Sequence, residues 1–284
     1  MSPLGVLPIR AAQARRLGLA PYQQLSPLLE KCALRLSANQ SYLKAEAELE
    51  VQMGIQVSHS TLQRLVQRSD LEMPVAKQKV TQLSIDGGKV RVRHSHKGEP
   101  SEWLEYKSVR LEALYYGAAC QNNQMLSDWV NTQALCCPLL CLGDGHDGVW
   151  KLSSCVSHPQ RRLETLDWYH LKENLYKIGG SLPRLRQAEA YLWQGQVVPA
   201  ISLFDECKLE QARRFRQYVQ HHRDRSINYS YFQAEGIPIG SGAVDSSIKQ
   251  IDYWMKLPGA QWKRQNVPQA LSVRCAYLNG LLDL

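Results

Sequence analysis

Three aspartates occupy positions from which carboxylates can hold divalent metal ions. Asp86 and Asp144 each follow an apolar segment typical of a buried strand, and Asp245 lies in the first turn of a predicted helix that follows Gly240-Ser241-Gly242. In α/β folds, ligands gather at the carboxyl ends of strands. Oxygen ligands suit Mg²⁺ or Mn²⁺, and two such ions about 4 Å apart support phosphodiester cleavage. The spacing therefore predicts a two-ion site at Asp86, Asp144 and Asp245.

Each aspartate also has a purely structural interpretation. Asp86-Gly87 is a dipeptide typical of hairpin turns, and Asp144-Gly145 suits a turn that leaves a strand. Asp245 complements the positive end of a helix and precedes Lys249 by one helical turn, where the two can pair. Two buried strands that both end in aspartate favour the metal site over three unrelated turns and caps.

A second pair of chemically active residues follows at a predicted junction between a strand and a helix. Asp167 and His170 are three residues apart, so the carboxylate can orient the imidazole. The pair can stabilise the start of the helix or contact a DNA backbone. No metal-ligand spacing accompanies His170, which argues against a zinc site.

The elements that position these residues fall into three stretches. A helical stretch covers about 23–68, a strand-rich stretch about 80–167, and a mostly helical stretch runs from 168 to the end. Apolar or alternating patterns predict strands at 80–85, 89–94, 104–116, 135–142 and 163–166, with a meander among the first three. A helix is expected at 127–133, and the later helices at 168–178, 184–194, 197–207, 209–225, 243–256 and 268–281.

The first stretch has the pattern of a helix-turn-helix. Ser26, Ser41 and Ser58 are placed as N-caps, and Gly54 permits the left-handed turn between the second and third helices. A plain helical hairpin fits the same pattern. In the DNA-binding interpretation, polar residues of the third helix, 60–68, reach base edges or phosphates. These residues are Gln63, Arg64, Gln67 and Arg68.

The charge balance suits a polyanionic partner. The 284 residues have a net charge of +8 and a pI near 9.1. The helix predicted at 209–225 contains five arginines against one aspartate, Asp224, which favours phosphate contact through Arg213, Arg214 and Arg216. Trp254 and Trp262 are expected to be core or interface aromatics rather than base-stacking platforms.

The sequence gives no sign of a membrane or secreted protein. The strongest apolar run, 134–142, is far shorter than the roughly 20 residues of a spanning helix. No apolar segment of signal-peptide type begins the chain. The eight cysteines form no CxxC pair and are expected to be mostly buried, reduced thiols. A cytoplasmic protein is therefore expected.

Three blocks of sequence resemble bacterial insertion-sequence transposases of the DDE type. The blocks are LGDG at 142–145, LDWYHLKENL at 166–175 and PIGSGAVDS at 238–246. They are most similar to the branch akin to Mutator-like elements, which carries a (Cys/Asp)-x-x-His motif, and Asp167 and His170 match that motif. The likeness extends over about 5–276.

The resemblance implies an α/β fold with an RNase H-like mixed sheet flanked by helices. It implies a helix-turn-helix region at 1–75 and a catalytic domain at 76–284 with an all-α insertion at about 168–236. Asp86, Asp144 and Asp245 would be the catalytic and metal-binding acids. The expected reaction is metal-dependent cleavage and strand transfer at the ends of a mobile element. The expected partners are double-stranded DNA, as terminal inverted repeats and target, and further copies of the chain assembled on DNA in the bacterial nucleoid.

One departure from the family pattern leaves a second function open. The family has Glu in a Gly-Ser-Gly-x-x-Glu pattern where this chain has Asp245, which is one methylene shorter. A weakly active or inactive relic that only binds DNA is therefore the alternative. A phosphotransferase using 143–148 as a phosphate loop is disfavoured, because that segment lacks the Gly-Lys-Ser/Thr ending.

Overall fold

A five-stranded mixed sheet forms the centre of the protein. The computed structural model describes residues 8–17, 19, 24–93 and 99–283, without the side chains of 243–245. The strands are β1 (Val80–Val92), β2 (Glu102–Leu111), β3 (Tyr115–Cys120), β4 (Leu135–Gly143) and β5 (Arg162–Leu166). Their order is β3-β2-β1-β4-β5. The first three form an antiparallel meander, and β4 and β5 run parallel to β1. This α/β arrangement is compatible with an RNase H-like fold.

Strand β1 runs unbroken through Asp86-Gly87-Gly88, so the prediction that a strand ends at Asp86 is wrong. The hairpin interpretation of Asp86-Gly87 is wrong for the same reason. The two glycines form no turn. They let side chains of β2 approach the β1 backbone closely. A Cβ on Gly88 would lie 2.3 Å from Cζ of Tyr106, and one on Gly87 would lie 2.8 Å from Nζ of Lys107.

Helices precede, connect and follow the strands. Those before the sheet are α1 (Ala11–Arg16), α2 (Pro27–Ser37), α3 (Tyr42–Met53) and α4 (His59–Arg68), and those between strands are α5 (Asn123–Asn131) and α6 (Asp147–Ser154). After β5 come α7 (Trp168–Tyr176), α8 (Leu182–Trp193), α9 (Val197–Ser202), α10 (Glu210–His221), α11 (Tyr229–Ala234), α12 (Gly242–Met255) and α13 (Val267–Leu278).

The N-caps predicted for the first stretch are confirmed. The side chains of Ser26, Ser41 and Ser58 each accept a hydrogen bond from the backbone three residues on, at the starts of α2, α3 and α4. Gly54 ends α3 in the left-handed conformation, with φ of 65°. The helices and the turn therefore follow from local chemistry, while their use in DNA binding stays a prediction.

The two faces of the sheet are covered by different helices. Leu83 and Ile85 are buried on one face with residues of α5 to α11. Val90, Val92 and Tyr106 are buried on the other face with residues of α12 and α13. Side chains alternate between faces along a strand, so Asp86 belongs to the face that α12 crosses.

Two details of the strand-rich stretch differ from the prediction. The segment 135–142 was expected to be a fully buried strand, but only residues 139–143 of β4 are buried. The first four residues of β4 are partly or fully exposed. All eight cysteines are free, but only Cys32, Cys141 and Cys275 are buried, so the expectation of mostly buried thiols is wrong. In the described parts of the chain, no helix is both long enough and apolar enough to cross a membrane.

Candidate active site

Strands β4 and β5 end at one edge of the sheet and β1 continues past it, and an aspartate follows the aligned residue of each of these three parallel strands. Ile85 pairs with Gly143, and Gly143 pairs with Leu166. The next residues along the chain are Asp86, Asp144 and Asp167. Sequence reasoning expected the acids at strand ends, and the register of the sheet is what brings them to a common edge.

Asp86 and Asp144 share a small open pocket of about 150 Å³ at this edge. Asp86 Oδ1 accepts a hydrogen bond of 2.6 Å from the backbone of Gly87, and Asp144 Oδ1 accepts one of 2.9 Å from the backbone of His146. Both side chains are partly exposed. The two carboxylates are thus oriented by backbone amides and open to a ligand.

Lys107 brings a positive charge to the same pocket. A Cβ on Gly87 would lie 2.8 Å from its ammonium nitrogen, and a Cβ on Gly148 would lie 3.1 Å from it. The ammonium group therefore occupies the space left by two glycines, one directly after Asp86 and one in the loop-to-helix segment after Asp144. Sequence reasoning missed Lys107, because only the antiparallel register of β1 and β2 places it opposite Gly87.

Asp167 is fully buried and fastens the start of α12 to the sheet edge. Its Oδ1 caps α7 by accepting a 2.8 Å hydrogen bond from the backbone of His170, whose Nδ1 lies 3.3 Å away. Its Oδ2 accepts hydrogen bonds from Ser241, one from the backbone amide and one of 2.6 Å from Oγ. Ser241 immediately precedes α12, so Asp167 connects the start of α7 with a residue that is 74 positions away in the sequence.

The ionisation of Asp167 reflects these bonds. Burial raises the pKa of the carboxyl group, but the hydrogen bonds from His170 and Ser241 outweigh burial and hold its pKa below the usual value. Asp167 is therefore a buried carboxylate whose charge is satisfied by its own neighbours. It is a positioning group rather than an open ligand.

Helix α12 crosses the sheet face that carries Asp86. The hydroxyl of Tyr106 donates a 2.8 Å hydrogen bond to Asp252, and Arg110 donates one of 3.1 Å to Ser247. Asp245 lies within the first turn of this helix, and its side chain is outside the described residues. The structure thus brings Asp86 and Asp144 together and starts the helix of Asp245 at the same edge.

The donor chemistry at Asp86 and Asp144 fits a hard divalent cation. Two carboxylates line one pocket and are reachable from solvent, which suits Mg²⁺ or Mn²⁺. Among the side chains that the structure describes, no three or more His, Cys, Asp or Glu residues assemble into a metal site. A complete ligand set needs a donor beyond this pair, and Asp245 is the predicted one.

A tyrosine of α10, Tyr218, packs against the loop that follows β4. A Cβ on Gly145 would lie 1.9 Å from Cε2 of Tyr218, so glycine is required where the loop passes over the ring. Burial raises the pKa of Tyr218, and the carboxylates of Asp144 and Asp167 act in the same direction. Tyr218 was not foreseen, because nothing local in the sequence connects α10 with the loop after β4.

The predicted DNA-reading residues lie on the outer side of α4. Leu62, Leu65 and Val66 are buried. Arg64 and Arg68 are exposed, and Gln63 and Gln67 are partly exposed. Arg64 Nε contacts the backbone oxygen of Ser60 at 3.3 Å, and Arg68 lies 3.8 Å from Glu30. Their placement leaves a polar surface on α4.

The predicted basic helix is less basic than its arginines suggest. Arg213 and Arg214 both pair with Glu210, at 2.6 and 3.0 Å, and Arg216 pairs with Asp205 at 2.5 Å. The predicted helix at 209–225 also contains Glu210, an acid that the count of five arginines against one aspartate leaves out. The three arginines are therefore partly neutralised within the chain.

Comparison with known proteins does not assign a family. No protein-family model matches the chain, and no curated protein is similar enough to count as a match. The function therefore has to be inferred from the arrangement of the chain's own residues.

Proposed function

We propose that this protein is a DNA transposase that cleaves and joins phosphodiester bonds with the help of divalent metal ions. One observation carries the proposal: Asp86 and Asp144 follow register-paired residues on neighbouring parallel strands and line the same pocket. Ser241, directly before the helix that bears Asp245, bonds to Asp167 at that edge, and the helix then contacts Tyr106 and Arg110 of β2. The strand order β3-β2-β1-β4-β5 supports the RNase H-like expectation.

The chain's residues divide the work in the proposed reaction. Asp86 and Asp144 supply oxygen ligands, and Lys107 offers a positive charge to a phosphate oxygen of the DNA. Asp167 holds the start of α12 through Ser241. Mg²⁺ or Mn²⁺, when bound, would activate the attacking oxygen and stabilise the leaving one. Hydrolysis breaks a P–O bond and frees a 3′-hydroxyl at the element end. That hydroxyl then attacks a target phosphodiester, and the 3′-oxygen of the target strand leaves and takes up a proton.

The partners in this proposal are double-stranded DNA and further copies of the chain. The polar surface of α4 would contact the terminal repeats through Gln63, Arg64, Gln67 and Arg68. The net charge of +8 favours association with DNA. Transposition joins two element ends to one target, so an oligomer on DNA is part of the proposal.

A plasmid-nicking assay tests the proposal. Wild-type protein with Mg²⁺ or Mn²⁺ should nick supercoiled DNA that carries the element ends. Asp86→Asn and Asp144→Asn should each lower the rate by about a hundredfold or more, since a charged group at the reacting centre is lost. The exposed Asp70→Asn is the matched control and should keep the wild-type rate. Equal nicking by Asp86→Asn and wild type would contradict the assignment.

The second candidate is a relic that binds DNA without cutting it. It is favoured by Asp245 itself, whose side chain is one methylene shorter than the glutamate of the family that the sequence resembles. Asp245→Glu distinguishes the two candidates, because the longer side chain restores the family's third acid. Nicking that appears only in Asp245→Glu would identify the relic, whereas nicking by wild type would exclude it.

A further inference from the structure

A larger pocket lies at the C-terminal end of β1, beyond Asp86, where three parts of the chain meet. Its volume is about 570 Å³. It is bordered by the start of α3, by α4, by Arg93 directly after β1, and by the segment that connects α12 with α13. We call it the connector pocket, and the residues that matter here are Gln40, Gln63, Arg93, Trp262, Lys263 and Asn266.

Trp262 forms a fixed aromatic wall of the connector pocket. Its backbone amide donates to the carbonyl of Arg91 at 3.1 Å, and its carbonyl accepts from Arg93 at 2.8 Å. Its indole Nε1 donates to the carbonyl of Met255 at 2.8 Å, and its ring lies 4.9 Å from that of Trp254. Trp254 is buried, but Trp262 is only partly buried. An indole held on three sides and open to a cavity is a ready stacking surface for a planar ring.

The polar lining of the pocket suits the edge of a nucleobase. Gln40 Nε2 is buried and has no hydrogen-bond partner among the described residues. Gln63 and Asn266 add further amide groups to the lining. Amides offer a donor and an acceptor side by side, which is the pattern that base edges match. An unsatisfied buried amide is costly, so a ligand that accepts its hydrogen bond is stabilised there.

The charge of the pocket suits a phosphate. Arg93 and Lys263 line it and are exposed, and none of the described residues that line it is acidic. Gln63 also belongs to α4, and Gln67 lies one turn further along the same helix. A DNA strand that contacts α4 would therefore pass across the mouth of the connector pocket.

We propose that the connector pocket binds one unpaired nucleotide of the DNA on which the protein acts. The base stacks on Trp262, its edge meets the amides of Gln40 and Gln63, and its phosphate lies between Arg93 and Lys263. The inference rests on the proposed function in taking DNA as the ligand, but it concerns binding at a site separate from Asp86 and Asp144. It assigns to Trp262 the stacking role that the sequence did not favour.

Binding of a short single strand tests the site without any need for cleavage. The probe is a fluorescein-labelled oligothymidylate of about 12 nucleotides, followed by anisotropy, since single-strand sites span roughly 4–16 nucleotides. Trp262→Ala should weaken binding by about tenfold or more, because one stacked base is lost. Trp262→Phe should stay within about threefold of wild type. The exposed Trp103→Ala, on β2, should bind like wild type.

Arg93 and Lys263 are exposed, so substitutions of these two residues should leave the fold intact. Lys263→Gln and Arg93→Gln should each lower the dependence of log affinity on log salt by about 0.7, the value for one phosphate of a single strand. Wild-type affinity in a folded Trp262→Ala, as judged by circular dichroism, would overturn the proposal. If that variant does not fold, unchanged affinity and salt dependence in both cation variants would overturn it. Failure of the wild type to bind the oligonucleotide would also do so.

The two proposals fail in different ways. If the wild type binds the oligonucleotide through Trp262 but never nicks plasmid, the connector pocket stands and the transposase proposal falls. If the wild type nicks plasmid but the pocket variants bind the single strand normally, only the pocket proposal falls.

Discussion

At the scale of single residues, Asp167 is a buried carboxylate that positions the starts of two helices and is not open to a ligand. It caps α7 through the backbone of His170 and receives two hydrogen bonds from Ser241. The sequence indicated the pairing of Asp167 with His170, because three residues separate them. It did not indicate Ser241, because the partner lies 74 residues away and only the folded chain brings it near.

Removal of the Asp167 carboxylate should destabilise the fold. In Asp167→Ala, α7 loses its cap and the buried donors of Ser241 lose their acceptor. We expect the free energy of unfolding to fall by about 2–4 kcal/mol, as measured by urea denaturation. The exposed Asp70→Ala should change it by less than about 0.5 kcal/mol. A drop in Asp167→Ala no larger than in Asp70→Ala would contradict the role of this carboxylate.

The same residue predicts a pH dependence of stability. The folded-state pKa of Asp167 lies below the ordinary value of 3.8, so the ionised carboxylate stabilises the native state more than the protonated form does. Its contribution is fully present above pH 3.8 and is lost as the pH falls through the lowered pKa. The stability difference between wild type and Asp167→Asn should therefore shrink below that pH. A difference that stays constant or grows on acidification would contradict the prediction.

At the scale of elements, local chemistry was predictable and pairing across strands was not. The serine N-caps of α2 to α4 follow from short-range hydrogen bonds, and the sequence located them correctly. The Asp-Gly-Gly segment was predicted to end a strand, whereas β1 continues through it and its glycines make room for Lys107 and Tyr106 on β2. The closeness of Asp86 and Asp144 was predicted correctly, although β1 continues past Asp86 and the parallel register of Ile85 with Gly143 is what brings the two together.

Strand β1 offers a direct test of why Gly88 is glycine. In Gly88→Ala, the new methyl would lie 2.3–2.5 Å from ring atoms and the hydroxyl oxygen of Tyr106. Tyr106 is buried and bonded to Asp252, so it has little room to move. The substitution should cost about 1–3 kcal/mol in urea denaturation. A Cβ on Gly242 meets no atom of the described residues within 4 Å, apart from its chain neighbours and its own helix backbone, so Gly242→Ala should be nearly neutral. Equal stability of the two variants would show that β1 does not approach Tyr106 in this way.

At the scale of the whole molecule, the N-terminal helices are joined to the sheet through α13. Residues of α2 to α4 share a core with Val273 and Ala276. Buried Arg274 donates to the backbone oxygen of Gln250 in α12, at 2.6 and 3.1 Å, and to that of Ala38 after α2, at 3.1 Å. One guanidinium group thus connects the N-terminal helices with α12, the helix that bears Asp245.

Loss of Arg274 should loosen that connection. In Arg274→Met the backbone oxygens of Gln250 and Ala38 lose charged hydrogen bonds, which should lower the free energy of unfolding by about 3 kcal/mol or more. Proteolytic cleavage in the segment at 69–79, which links α4 to β1, should also become faster. Exposed Arg213→Met should change stability by less than about 1 kcal/mol. Unchanged stability and proteolysis in Arg274→Met would contradict this account of the assembly.

Mn²⁺ binding tests most directly the proposal that Asp86 and Asp144 form one metal-binding site, because no particular DNA sequence is needed. Free Mn²⁺ can be followed by its paramagnetic signal during titration of the protein. We expect Asp86→Asn and Asp144→Asn each to weaken Mn²⁺ binding by more than about tenfold, with Asp70→Asn unchanged. Mn²⁺ affinity that is the same in both site variants as in wild type would contradict the account.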